Sequence, residues 1–334
     1  MDIYEKIEKI PRIRLANLPT PVRRLNAVSD KYGKNIWIKR DDLTGVETSG
    51  NKIRKLEYSL AAALAQKAEV IITAGGIQSN HARTCAAAAA MLGLSSHLVL
   101  SISSEPETEG NFLLDKMLGA KITLLNEKKE KISLSEKMKQ IADEYTSRGI
   151  RAYIIPVGAS DGIGNFGYIN AMKEIDSQEH EKNVTFDTIV CAAGSGGTYS
   201  GLCLGNYIYG LGKRIAGITV CDNREYFTRK STEIMEETYT ILGEQPVRLN
   251  TEFIDGYKGL GYAISKEDEL KFISEIASLE GMILDPVYTG KAFYGLCCEI
   301  GKGTFDDSEN ILFIHTGGLY GLFPKHGQIA DVLR

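Results

Sequence analysis

The sequence predicts an α/β protein made of two doubly wound parallel-sheet domains. Three observations lead there. Short apolar segments of strand type alternate with helical segments along most of the chain, the alternation divides into two sets near Gly158, and 334 residues exceed what one small core needs. Strands that are apolar throughout, rather than on alternate positions, are those of parallel sheets covered on both faces.

Residues 1–35 read as an approach segment, drawn out by Pro19-Thr20-Pro21. Ile36-Trp37-Ile38-Lys39 is the first strand, followed by the charged turn Arg40-Asp41-Asp42. Ile53, Leu56, Leu60 and Leu64 recur near one face of a helix over 53–66, with Ser49 as its expected N-cap. Val70–Thr73 is a buried strand that runs through Ala74-Gly75-Gly76 into an Ala-rich helix over 79–92. A strand at 98–100, a helix over 110–118, a strand at 122–125, a helix over 134–147 and a strand at 153–156 complete the first set. The second set begins with a helix over 167–177 and the strand Thr188–Cys191. The loop 194–198, a helix to Tyr209, a strand at 215–220 and helices over 224–239, 266–279 and 291–300 follow. Ile311–Ile314 is the last strand. Two such sets place a site between them, at the strand ends.

Composition excludes several classes of function. The hydrophobic fraction of 43% and charged fraction of 25% are those of an ordinary globular protein. A net charge of -4 gives no nucleic-acid footprint, and no apolar run reaches the ~18 residues of a membrane span. The start Met1-Asp2-Ile3-Tyr4-Glu5-Lys6 lacks the features of a signal peptide. Six cysteines without Cys-x-x-Cys spacing read as reduced residues of a cytoplasmic protein, and five scattered histidines offer no metal-ligand spacing.

Ser49-Gly50-Asn51-Lys52 sets Lys52 in the first turn of its helix, where positive potential disfavours a cation. The neutral amine so favoured is the form that attacks carbonyls. Most lysines are solvated side chains and Ser-Gly-Asn can be an ordinary turn, so the case rests on other loops. Gly194-Ser195-Gly196-Gly197-Thr198 joins a strand to a helix, which suits a single phosphate. It lacks the third glycine of a dinucleotide fingerprint, since Tyr199 stands there, and no Gly-Lys-Ser/Thr follows. Gly75-Gly76-Ile77-Gln78-Ser79-Asn80-His81 repeats the arrangement and suits a substrate carboxylate, although Ser79 or Asn80 could serve only as a cap. Tyr262 and Tyr288 lie in loops before helices, where tyrosines commonly only pack. Two accidental matches lie near Lys52. Gly45–Lys52 approximates a Walker loop, but Asn51 precedes the lysine and Ile53 replaces the metal-binding hydroxyl. Ser49-x-x-Lys52, Tyr168-x-Asn170 and His315-Thr316-Gly317 follow the order of penicillin-recognising serine acyl enzymes, against which the alternating strand–helix pattern speaks.

Five segments together, 49–58, 75–83, 193–198, 285–291 and 315–318, resemble one family: the D-cysteine desulfhydrase and 1-aminocyclopropane-1-carboxylate deaminase group of pyridoxal-phosphate enzymes. The matches run in the family's order across nearly the whole chain. The resemblance implies a tryptophan-synthase-β-like fold, with a large cofactor-binding domain of residues 1–48 and 159–334 and a small domain of residues 49–158. It implies that Lys52 holds pyridoxal 5'-phosphate and later moves the substrate's α-proton. Lys55 would hold the phosphate with Gly194, Ser195, Gly196, Gly197 and Thr198, Asn80 would bond the ring oxygen, and Thr289 would face the pyridine nitrogen. Ser79 and His81 would meet the substrate carboxylate, with Ser79 as a second proton carrier, and Tyr262 and Tyr288 would flank the substrate. The family also implies a homodimer.

Within that family, deaminases of the cyclopropane acid typically have Ser-Asn-Gln where Ser79-Asn80-His81 stand, and Tyr-Glu-Gly-Lys where Tyr288-Thr289-Gly290-Lys291 stand. A carboxylate at the pyridine nitrogen strengthens the electron sink, whereas a neutral hydroxyl suffices for an amino acid with a good leaving group on Cβ. Both departures favour β-elimination, with D-cysteine desulfhydration foremost and L-cysteate sulfo-lyase or cyclopropane deaminase as alternatives. A binder that retains cofactor or amino acid without turnover is a further reading, against which the proton-transfer set of Lys52, Ser79, Tyr262 and Tyr288 argues.

Overall fold

The computed structural model describes residues 2–333. Its first elements are α1 (Ile3–Glu8), β1 (Val22–Arg24), α2 (Asn26–Tyr32) and β2 (Asn35–Lys39). Then come α3 (Lys52–Ala65), β3 (Val70–Gly76), α4 (Asn80–Met91), β4 (Ser95–Ser101), α5 (Gly110–Met117) and β5 (Lys121–Leu125). They are followed by α6 (Glu127–Glu130), α7 (Leu134–Ser147), β6 (Ala152–Ile154), α8 (Gly162–Lys182), β7 (Thr188–Ala193) and α9 (Gly197–Ile208). The remainder is β8 (Arg214–Thr219), α10 (Arg224–Leu242), β9 (Glu252–Ile254), α11 (Glu267–Glu280), α12 (Thr289–Gly301), β10 (Asn310–Ile314) and α13 (His326–Val332).

Among the described residues the strands form two sheets, in the orders β1-β2-β10-β7-β8-β9 and β5-β4-β3-β6. Every pairing between these strands is parallel except β1 with β2. The larger sheet is covered on both faces, as its uninterrupted apolar strands require. Ile311 and Phe313 of β10 enter one core with Ile36, Ile38 and Val190, while Leu312 and Ile314 enter the opposite core with Ile189 and Cys191. No helix among the described residues is long and apolar enough to cross a membrane.

Several elements depart from expectation for identifiable reasons. The helix expected over 167–177 extends from Gly162 to Lys182, with Asp161 as its N-cap accepting from the amide of Gly164 at 2.8 Å. Glycines that weaken its helical signal exist for packing: a Cβ at Gly167 would lie 2.5 Å from the Arg54 carbonyl of α3. Backbone thus rests on backbone where α8 supports α3. Ser49 is not the cap of α3, because its hydroxyl donates to the Asp42 carbonyl at 2.8 Å. Asn51 flanks that helix instead, without a capping bond. Leu64 is 38% exposed, whereas Arg54, Lys55 and Glu57 of the same helix are buried.

Beneath α3 lies a buried charge cluster. Arg54 donates to both carboxylate oxygens of Asp41, at 2.9 and 2.8 Å, and to both of Glu174, at 2.9 and 3.0 Å. Lys39 donates to Glu174 at 2.6 Å, and the Tyr168 phenol donates to Asp41 at 2.6 Å. The cluster joins the end of β2, the start of α3 and the middle of α8, so the first turn of α3 is held from below.

Candidate active site

Lys52 is the first residue of α3, and the backbone before it is wedged against the end of β10. The Asn51 amide donates to the Thr316 carbonyl at 3.1 Å. Gly50 has φ +112° and a Cβ there would lie 2.8 Å from that same carbonyl, while a Cβ on Gly317 would lie 2.7 Å from the Gly50 Cα. Only paired glycines permit this approach. The Lys52 Nζ donates to Asn51 Oδ1 at 3.2 Å, and Asn51 Nδ2 donates to Thr198 Oγ1 at 2.9 Å. Burial lowers the lysine's pKa to about 8, against an opposing pull from Asp285. Desolvation is therefore the main cause, rather than helix position alone. Capture of an aldehyde needs the unprotonated amine. The rate at which apoenzyme captures pyridoxal phosphate should rise with pH through an inflection near 8. Stopped-flow mixing across pH checks this, and an inflection at an ordinary lysine value, about 10.4, would refute it.

Across the cleft the loop between β7 and α9 forms an anion cradle. Gly196 stands at φ +84° before α9, and no side chain caps that helix, so its first amides face outward. Lys55 Nζ donates to Ser160 Oγ at 3.0 Å, and Ser160 Oγ lies 2.8 Å from Ser195 Oγ. A Cβ at Gly197 would come within 2.7 Å of that Ser160 oxygen and 2.9 Å of the lysine nitrogen. Burial, and then the neighbouring Lys52, push the Lys55 pKa well below its usual value, with Asp161 opposing. The buried Lys55, the half-buried Lys52, three hydroxyls and a bare helix start favour a bound dianion.

The third wall is the start of α4. Ser79 caps this helix, its Oγ accepting from the Ala82 amide at 3.1 Å. Asn111 Nδ2 donates to Asn80 Oδ1 at 2.9 Å, which leaves the Asn80 amide nitrogen as its free donor. His81 is buried and its Nε2 lies 2.8 Å from Thr73 Oγ1. That hydroxyl donates to the Ile155 carbonyl at 2.7 Å, so the proton between Thr73 and His81 belongs to the imidazole Nε2. Nδ1 is left as a buried acceptor without a partner. Burial, then Lys52 and Lys55, hold the imidazole well below its ordinary pKa, so it stays neutral. A bare lone pair does not donate to a carboxylate. The expected carboxylate contact of His81 thus differs from what its tautomer offers, and donor capacity lies with the Ser79 hydroxyl and the first amides of α4.

The Tyr262 and Tyr288 hydroxyls are 2.6 Å apart at the mouth. Burial and the Tyr262 contact push the Tyr288 phenol well above its usual pKa, which keeps it protonated. A Cβ at Gly194 would lie 2.8 Å from the Tyr288 ring, so that glycine admits the ring against the cradle. Thr289 is buried behind the wall. Its hydroxyl donates to Asp285 Oδ1 at 2.7 Å and accepts from the Asp285 amide at 2.9 Å. Asp285 in turn accepts from the amides of Val287, Tyr288 and Thr289. The cavity, about 320 Å³, is lined by Lys52, Ser79, Asn80, His81, Gly194–Gly196, Thr198, Tyr262 and Tyr288, with Lys55, Gly197 and Thr289 behind it. Asn51, Ser160, Cys221 and Thr316 also belong to the site or its support; Asn51 and Thr316 lie within motifs that gave them no role, and Ser160 and Cys221 lie outside every motif. A hydroxyl or amide near a glycine was the signal at Asn51, Ser160 and Thr316, and Cys221 had none.

A lysine whose amine is readily neutral, facing an oxyanion cradle between two parallel sheets, equips a protein to condense that amine with a phosphorylated aldehyde. The chain belongs to the pyridoxal-phosphate dependent enzyme family, whose model matches residues 13–317. It is 41% identical over 328 residues to a bifunctional D-cysteine desulfhydrase/1-aminocyclopropane-1-carboxylate deaminase, mitochondrial, of Arabidopsis thaliana, covering 96% of this chain and 81% of that one. It is 38% identical over 334 residues to a D-cysteine desulfhydrase of Yersinia enterocolitica, covering 98% and 100%. A crystal structure of an ACC deaminase homologue superposes with a TM-score of 0.91 at 40% identity, covering 99% of this chain and 98% of that one. The fold is thus the tryptophan-synthase-β-like one of pyridoxal-phosphate lyases. The residues present fit the cofactor: the Lys55–Ser160–Ser195 cradle awaits an anion, and the Lys52 amine and the Asn80 donor open on the same cavity.

Proposed function

We propose that the protein is a carbon–sulfur lyase that eliminates the Cβ substituent of a small amino acid, with D-cysteine as substrate. D-Cysteine and water yield pyruvate, ammonia and hydrogen sulfide. The observation that carries this reading is the neutrality of the wall opposite the cradle. Among the described residues no Asp or Glu lines the cavity, and Asp285 has its oxygens engaged by three amides and a hydroxyl. Without a carboxylate partner the ring nitrogen stays a weaker electron sink, which suits a substrate whose own leaving group draws electrons. Of the two relatives described above, the Yersinia enterocolitica protein is named a D-cysteine desulfhydrase and the Arabidopsis thaliana protein carries that activity beside the deaminase in its name.

When bound, pyridoxal phosphate supplies the sink for the electron pair left at Cα. The chain's residues do the rest. Lys52, neutral in an appreciable fraction near pH 7, takes the Cα proton. Ser79 and the amides at the start of α4 would orient the carboxylate, and Asn80, whose amide nitrogen is its free donor, would bond the cofactor. Lys55 and residues 194–198 would hold the phosphate. The Tyr262–Tyr288 pair shares one short hydrogen bond and keeps a proton ready for the departing sulfur. Thr289 acts through Asp285, fixing the loop that carries Tyr288. We further read residues 1–48 with 159–334 as the cofactor-binding domain and 49–158 as the small domain, each with one of the two sheets. We place the enzyme in the cytoplasm as a homodimer; six free cysteines, four of them buried, accord with a reducing compartment.

Product analysis tests the reading. Holoenzyme mixed separately with D-cysteine, L-cysteate and aminocyclopropane carboxylate should release sulfide from the first far faster than sulfite or 2-oxobutyrate from the others. Sulfite release would make it an L-cysteate sulfo-lyase, and 2-oxobutyrate a cyclopropane deaminase. A cofactor-loaded protein that releases none would be a binder.

A further inference from the structure

Lys291 is fully buried in the first turn of α12, where unpaired amides disfavour a cation. Its ammonium nevertheless meets three backbone carbonyls: Lys258 at 2.8 Å, Gly261 at 2.8 Å and Ile264 at 3.0 Å. An ammonium has three N–H groups and no lone pair, so each hydrogen finds one acceptor. A neutral amine would turn its lone pair on one of the carbonyls. Glu269 supplies the compensating charge nearby: a Cβ at Gly259 would lie 3.0 Å from the lysine nitrogen and 2.8 Å from Glu269 Oε2.

The three carbonyls recur every third residue, and the chain between them curls through left-handed conformations at Gly259 (φ +67°), Gly261 (φ +153°) and Ala263 (φ +56°). Alanine keeps such a conformation only where its surroundings impose it. Tyr262 is carried inside this curl and is 49% exposed, so ring packing alone does not fix it. Its hydroxyl nonetheless meets that of Tyr288 at 2.6 Å.

We propose that Lys291 is a tethered monovalent cation. Its ammonium occupies a carbonyl cage that a free potassium or ammonium ion could fill, and by gathering residues 258–264 it positions Tyr262 against Tyr288 over the cavity. The catalytic consequence rests on the proposed part of Tyr262 in elimination, whereas the ordering of the loop does not.

The test compares holoenzyme with Lys291→Ala, or Lys291→Met should the alanine variant not fold. Amide hydrogen exchange over residues 257–266 and kcat/KM for D-cysteine are read in potassium, ammonium and tetramethylammonium chloride at equal ionic strength. Wild type should be indifferent to the salt. The variant's loop should exchange faster and its kcat/KM fall by about 10- to 100-fold. Potassium or ammonium should restore both saturably, and tetramethylammonium, too large for the cage, should not. Combined with Tyr262→Phe, the lysine substitution should add no further loss. A loop as protected as in wild type, a loosened loop that ignores potassium and ammonium, or losses that multiply in the double variant would each overturn the proposal. If wild type leaves D-cysteine untouched, the functional reading fails, while the exchange measurements still decide the role of Lys291.

Discussion

Lys52→Ala is expected to remove covalent attachment of pyridoxal phosphate and to abolish turnover while the fold survives. The proton-transfer role alone is worth about 10²- to 10⁴-fold, and loss of the covalent anchor adds to it. The fold should tolerate the change because the lysine's one hydrogen bond is to Asn51, which remains tied to Thr198. Removing a buried amine whose pKa is already lowered by desolvation also relieves a cost. Borohydride treatment followed by mass spectrometry checks the attachment, and circular dichroism checks the fold. A variant that still fixes cofactor after reduction would assign the linkage to another amine, with Lys55 of the same helix the first to substitute.

The second large effect is on stability. Arg54→Met should cost about 3–5 kcal/mol, because it leaves the buried Asp41 and the half-buried Glu174 without their main counter-charge. Burial pushes both carboxyls upward, and the Arg54 and Lys39 charges with their hydrogen bonds overcome it, holding each below its ordinary value. Carboxyls so depressed contribute stability above their unfolded pKa, about 4, and lose it as pH falls through the folded value. Urea unfolding should therefore show the largest gap between wild type and variant near neutrality, narrowing in acid. A gap that stays constant down to pH 3 would show that Arg54 acts through packing rather than charge.

Much of this arrangement was legible in the sequence because parallel strands covered on both faces are written in unbroken apolar runs. Val70–Gly76, Thr188–Ala193 and Asn310–Ile314 stand out for that reason. Short edge elements such as β1 and β9 were missed, since three residues with one buried side chain apiece carry no periodicity. The start of α8 was hidden by Gly162, Gly164 and Gly167, which local propensity penalises and tertiary packing requires. At the site, residues in glycine-rich strand–loop–helix motifs came together as expected. Thr289 and His81 have polar atoms engaged by Asp285 and Thr73, partners only four and eight residues away that no motif singled out. Asn51 and Ser160 gained their roles only through bonds to Thr198 and Lys55.

The order of strands in the larger sheet bears on how the polypeptide is made. β10 lies between β2 and β7, pairing Ile311 with Ile36 on one side and with Thr188 on the other. The middle strand of that sheet is thus the last of its six to be synthesised. Until it arrives, the nascent chain carries two partial sheets with complementary open edges, and each is a template for strands of other chains. The smaller sheet needs only residues 70–154 and can close well before β10 is made. Birth of the active site therefore waits for residues 310–317, and a chain interrupted before them lacks the centre of its larger sheet and one wall of its cavity.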